Sequence, residues 1–308
     1  MITGRNIFNT VIIVFVLALM FLPLTTASLW IREALNSGHT VFFFFLSFYA
    51  YRSLRNQTNI SKPHLIIMIV IFVGVLLGVL IEVVQVSLQR EASVVDLYRD
   101  VMGIFAGLCL VASNVAKKAG APVYRFFFLA VTVVLLLIAL APLMQLSRHY
   151  IQRNSAFPVV VDLGASWAGS FIEYNQAELL YGDEQNKKDT LYQVRFGPGL
   201  FPGISIREPV ADWSSYRQLN LSVTSNMEEA VVLVLRVHDK QHNQDYSDRF
   251  NQALVVHPGI NDYTLTLDSI REGPVARKLD LSEIAGIVLF LSRQSVTAQL
   301  FIGDLYLE

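Results

Sequence analysis

Apolar runs crowd residues 7–146 so densely that water cannot be the surroundings of that half of the chain. Five segments stand out: 7–24, 40–54, 64–86, 97–115 and 124–146. A helix rising 1.5 Å per residue needs roughly 17–25 apolar residues to cross a bilayer. The segment 40–54 falls short of that, and it is read as a span whose outer start is capped by Asn36, Ser37 and Gly38, with a re-entrant piece as the alternative. The segment 7–24 follows Arg5 and precedes Thr25, Thr26 and Ala27, which is also the layout of a secretory signal. Its apolar stretch exceeds the roughly 7–15 residues usual in such signals, so a retained helix is the expectation. The sequence therefore predicts an all-α membrane bundle of about five transmembrane helices over residues 1–150.

From about Asn154 the chain reads like an ordinary soluble protein, with Asp, Glu, Asn, Gln and Arg spread throughout. The split explains a charged fraction of 16%, well below the ~25% of soluble proteins. A net charge of −1 offers no basic patch, so no nucleic-acid partner is expected. Cys109 stands alone, which excludes an intrachain disulfide.

Basic residues in short loops set orientation. With the N-terminus inside, inner loops carry Arg5, Arg52, Arg55, Lys62, Lys117, Lys118 and Arg125, against Arg32, Arg90 and Arg99 outside, seven to three. An odd number of spans then places residues 151–308 outside the cytoplasm. The expected location is a bacterial inner (cytoplasmic) membrane, with an extracytoplasmic, periplasmic domain.

Two helices carry more than hydrophobicity. Gly74 and Gly78 are four apart, and so are Gly103 and Gly107. That spacing lets helix backbones approach closely in lipid. Continuing each face adds Glu82 and Gln85 to the first pair, and Asp96 and Asp100 to the second. The two glycine faces are expected to meet each other. Arg90 lies between them in sequence, and His39 opens the second segment at the same depth. Ionisable groups inside a membrane are functional candidates by default. Arg99, by contrast, reads as an interfacial charge.

These residues resemble the VanZ-like membrane family over about 30–115. The resemblance rests on Gly38-His39-Thr40 opening an aromatic helix, then Glu82-x-x-Gln85, then Arg90, then Asp96-x-x-x-Asp100-x-x-Gly103. Asp100 stands where that family usually has Asn. The resemblance implies a cell-envelope role without supplying a reaction.

Beyond Phe157 short alternating runs replace the apolar ones. Residues 193–196, 219–224, 230–238, 251–256, 263–267, 284–291 and 298–307 read as strands, punctuated by turns such as Gly197-Pro198-Gly199 and Pro258-Gly259. A short helix is expected near 281–284. The pattern predicts an antiparallel all-β sandwich. The order of features, with Asp212-Trp213, Tyr246 to Phe250, and a closing Phe301-Ile302-Gly303-Asp304, resembles the carbohydrate-binding jelly rolls of the galactose-binding-like fold.

Sugar sites combine aromatic rings with planar polar groups. The candidates in loops are Trp167, Tyr192, Tyr246, Asp248 and Arg249, while Trp213 and Phe250 read as core. No cofactor is expected. The resemblance leaves room for a structural calcium at Asp304. No P-loop, dinucleotide fingerprint, zinc-protease or nucleophile-elbow motif occurs, and His238, His242 and His257 do not form a metal motif. The leading expectation is a non-enzymatic envelope protein that meets membrane lipid through its helices and a polysaccharide or lipid-linked glycan through its outer module. The alternatives are an enzyme acting on a lipid-linked substrate through Glu82, Asp96 and Asp100, or a scaffold for another envelope protein.

Overall fold

A computed structural model describes residues 27–57, 60, 62–87, 94–180, 191–292 and 297–308. The expected span 7–24, Arg5 and Arg90 lie outside the described residues. The chain forms two compact units, 1–147 and 148–308.

The helices are α1 Leu29–Gln57, α2 Pro63–Ser87 and α3 Val94–Lys118 in the first unit, and α4 Pro122–Ala156, which runs from the first unit into the second. Pro63 and Pro122 open their helices, where a missing N–H is harmless. Asp96 in the first turn of α3 and Lys117 and Lys118 in its last complement the helix dipole. Helices Pro63–Val86 and Pro122–Ala156 are long and apolar enough to cross a membrane. Helix α1 departs from expectation. It begins eleven residues before Thr40 (40 − 29), so Asn36, Ser37 and Gly38 lie within it rather than capping it. Phe42 and Phe43 of α1, Ile81 of α2 and Ile104 of α3 form one buried cluster, and Tyr51, Ile66, Val70 and Val111 form another.

Packing also corrects the glycine faces. Gly74 and Gly78 do meet α3: a Cβ at Gly74 would stand 2.7 Å from Ile104 Cδ1, and one at Gly78 2.5 Å from Asp100 Oδ2. Gly103 and Gly107, however, face α1. A Cβ at Gly103 would run into the Thr40 carbonyl and approach Phe43 Cβ to 3.1 Å, and one at Gly107 would strike Ser47 and the Phe44 carbonyl. Helix α3 is therefore packed on both sides, with one glycine pair of its own and one supplied by α2.

The second unit is an all-β sandwich. Its strands are β1 Val159–Val161, β2 Ile172–Asn175, β3 Ala177–Leu180, β4 Tyr192–Phe196, β5 Gly203–Arg207, β6 Gln218–Ser225, β7 Val231–Asp239, β8 Phe250–Val256, β9 Gly259–Thr266, β10 Ile284–Leu291 and β11 Ala298–Leu307. One sheet has the order β3-β4-β11-β6-β9, with β1 also on β11, and the other β2-β5-β10-β7-β8. All pairs are antiparallel, and the chain passes repeatedly between the sheets, as in a jelly roll. The seven expected strands are present. Strands β1, β2, β3 and β5 are too short to announce themselves by alternation. The short helix is α5, Leu267–Arg271, capped by Thr266, not 281–284. Trp213 is fully buried and donates its indole N–H to Val210 O at 2.8 Å, which makes it a core plug.

Candidate functional site

The helical unit holds a buried polar cluster. His39 comes from α1, Glu82 and Gln85 from α2, and Asp96, Arg99 and Asp100 from α3. His39 and Asp100 are fully buried, and Nδ1 lies 2.9 Å from Asp100 Oδ1. With Asp100 ionised, Nδ1 carries the proton and donates it. The other ring nitrogen, Nε2, faces the Gln85 amide nitrogen at 3.4 Å. Arg99 donates to Asp96 Oδ1 at 2.9 Å and to Glu33 of α1. The expected interfacial reading of Arg99 is thus overturned: it is 4% exposed and is the cation of the cluster among the described residues. Glu33 was missed, and Arg99 read as interfacial, because their pairing joins two helices far apart in sequence. The sequence-predicted His39, Glu82, Gln85, Asp96 and Asp100 are all brought together and buried.

The sandwich presents a different surface on the outer side of its five-stranded sheet. Opposed residues on neighbouring strands share a face, and successive residues alternate. The registers therefore define rows: Glu173, Ser205, Val288, Arg236 and Asn251 in one, and Arg207, Gly286 and His238 in the next. Leu233, Leu235 and Val237 point the other way into the core. The imidazole of His238 lies over Gly286, where an added Cβ would come within 2.5 Å of the ring.

Polar atoms on this face are short of partners. Arg207 Nε, Arg236 Nε, Arg249 Nε, His238 Nδ1 and Asn251 Oδ1 are buried without a hydrogen bond. Arg207 is otherwise held by Glu173 at 2.8 Å. Arg236 lies over the Phe290 ring at 5.1 Å, and Arg249 over Tyr246 at 5.5 Å. Neither pairs with a carboxylate among the described residues. Burial, then the like charge of Arg249, lowers the pKa of Arg236. Burial first, then the positive surroundings of His242, Arg236 and Arg249, pushes His238 down to about 4, so its ring is neutral at pH 7. The exposed rings of Tyr246 and Phe201 border the face, and Phe201 meets Phe290 edge-on at 5.7 Å.

The sugar candidates divide accordingly. Tyr246 and Arg249 stand at this face. Asp248 is occupied structurally, accepting from Arg277 Nε at 2.5 Å and from the Asn243 N–H. Trp167 is a correction: at 6% exposure it packs against Phe171 and offers no open ring. Tyr192 is half-buried beside Gly164, with its phenol pKa raised by burial and then by Asp162 and Asp304. Asp304 has one buried, unpartnered oxygen, and burial followed by Asp162 raises its carboxyl to about 6. Arg236, His238 and Phe290 went unnoticed in the sequence because they sit mid-strand and not in loops.

The class that fold and surface define is an apolar helical unit joined to a β-sandwich with a polar, aromatic-edged sheet face. No protein-family profile and no curated protein matches the chain. Among solved structures it is similar to a family 11 carbohydrate-binding module from Clostridium thermocellum in complex with a β-1,3-1,4-mixed-linked tetrasaccharide. That likeness has 15% identity and a TM-score of 0.34, covering 44% of this chain and 82% of that one. It is also similar to a non-crystalline-cellulose-specific module, CBM28, at 8% identity and a TM-score of 0.34, covering 50% of this chain and 94% of that one. An agarase, AgWH50C, matches at 14% identity and a TM-score of 0.38, covering 48% of this chain and 25% of that one.

Proposed function

We propose that this protein is a multi-pass membrane protein of the bacterial envelope whose outer sandwich binds an extended glycan on the exposed face of its five-stranded sheet. The observation that carries the reading is the concentration of unpartnered, buried polar atoms of Arg207, Arg236, His238, Arg249 and Asn251 on one face edged by Tyr246 and Phe201. Buried polar groups normally have partners, and a sugar supplies hydroxyl donors and acceptors together with C–H faces that stack on rings. The uncompensated guanidiniums of Arg236 and Arg249 favour sugars bearing a carboxylate, which planar guanidinium groups read well. The membrane half is a bundle of about five helices with a cytoplasmic N-terminus, supported by the loop charge bias and by two helices apolar enough to span. Its VanZ-like resemblance is compatible with an envelope role.

The test is binding of the full chain in lipid nanodiscs to a panel of neutral and uronate polysaccharides. Binding that weakens about tenfold in an Arg236→Gln, Arg249→Gln double variant, a loss of roughly 1.4 kcal/mol, supports the reading. A folded protein that ignores every glycan favours the scaffold alternative. A reporter fused after Glu308 should behave as extracytoplasmic; a cytoplasmic one refutes the orientation.

A further inference from the structure

The helical cluster has the chemistry of a metal centre, independently of any glycan. Among the described residues, His39, Glu82 and Asp96 are a trio whose ligand atoms lie within 4.8 Å of one another, and all three are buried. Donors at tetrahedral angles around an ion at roughly 2.1 Å stand about 3.4 Å apart. Rotamer adjustments of roughly an ångström in two flexible carboxylates would therefore close the trio around an ion.

A second, separate observation concerns how the imidazole is held. Asp100, itself fully buried, engages Nδ1 of His39 at 2.9 Å. A metal-bound histidine almost always donates its other ring N–H in this way to a carboxylate or carbonyl, which fixes the tautomer and raises ligand basicity. The arrangement leaves a lone pair on Nε2, the ring nitrogen not held by Asp100. At that nitrogen sits Gln85, 3.4 Å away. A half-turn of its amide presents a carbonyl oxygen there as a fourth donor. Asp100 Oδ2 is also buried without a hydrogen bond.

Charge points the same way. Glu33 and Asp96 share one guanidinium, Arg99, while Asp100 meets the His39 imidazole. Carboxylates removed from water are costly unless a cation or donor meets them. One imidazole with two carboxylates is a borderline donor set, suited to zinc or manganese more than to calcium, which takes oxygen alone.

We propose that His39, Glu82 and Asp96 bind a divalent first-row transition ion, Zn2+ or Mn2+, with Asp100 acting as the positioning residue for the imidazole. The test uses the full chain in detergent, stripped with chelator and re-equilibrated separately with Zn2+ and Mn2+. About one tightly held equivalent per chain is expected, and Mn2+ electron-spin-echo spectra should show coupling to an imidazole nitrogen. Glu82→Gln and Asp96→Asn should each abolish stoichiometric uptake. Asp100→Asn should retain the site with affinity reduced roughly ten- to a hundredfold. Wild-type protein that holds neither ion, or a bound Mn2+ without nitrogen coupling, overturns the proposal even if the variants fail to fold. Full uptake by folded Glu82→Gln and Asp96→Asn proteins overturns it as well.

Discussion

Arg277 grips Asp239 through two parallel N–H···O bonds, Nη1 to Oδ2 at 2.6 Å and Nη2 to Oδ1 at 2.7 Å. The Asp239 side chain is fully buried at the end of β7, and its Oδ2 also accepts from the Asp280 N–H at 2.9 Å. Through Nε the same guanidinium holds Asp248 in the loop before β8. One side chain thus ties three segments of the sandwich edge together, and the pairing raises the pKa of Arg277 further.

Removing Arg277 strands a buried carboxylate. Arg277→Ala is expected to destabilise the sandwich by about 3 kcal/mol, the scale of breaking a buried ion pair. Adding Asp239→Asn should recover part of the loss, since the stranded charge goes with it. Thermal unfolding followed by tryptophan emission measures both. Equal stability of wild type and Arg277→Ala would show that the pair holds nothing.

Two groups of the sandwich give opposite pH slopes. His238 moves from 6.5 to about 4, so between those values the unfolded chain binds more protons and stability rises with pH. That contribution is complete above 6.5 and lost as pH falls through 4. Asp304 moves from 3.8 to about 6, so in its window the folded chain binds more protons and stability falls with pH. Between about pH 4 and 6 the two slopes oppose each other. Asp304→Asn should unmask the rise and His238→Gln the fall, each by about 1–2 kcal/mol across the window. Unfolding profiles of both variants that parallel the wild type would contradict this.

The glycines of the helical unit differ in what surrounds them. Gly107→Leu places a side chain against Ser47 and the Phe44 carbonyl, an overpacking cost of about 1–3 kcal/mol. A Cβ at Gly38 meets nothing within 4 Å. Gly38→Ala should therefore stabilise α1 by about 0.5–1 kcal/mol, through helix propensity alone. Melting temperatures in detergent should move in opposite directions for the two variants.

The sequence shows which residues matter more clearly than what they touch. His39, Glu82, Asp96 and Asp100 are visible because ionisable groups are rare beside long apolar runs, and their helical spacing places each on a face. That spacing cannot say which helix the face meets. Gly103 and Gly107 could have packed on α2 as well as α1, and backbone approach decides it. Alternation exposed the long strands β7 and β10. It said nothing of the short strands β1, β2, β3 and β5, nor that Arg236 would lie opposite Val288 and Asn251, because register across a sheet is a matter of distant pairing. Trp167 misled because a Gly-rich surrounding reads as an open loop, whereas its ring closes over Phe171.

The guanidiniums of Arg236 and Arg249 are laid down on Phe290 and Tyr246 by the protein's own packing. Fixing a free side chain on association costs roughly 0.5–1.5 kcal/mol, and these two are restrained beforehand. The sheet face is therefore preorganised: its ordering happens during folding, not at the encounter. If the proposed glycan binds there, the rate of association should follow diffusion and charge, and selectivity should reside in how long a given sugar stays.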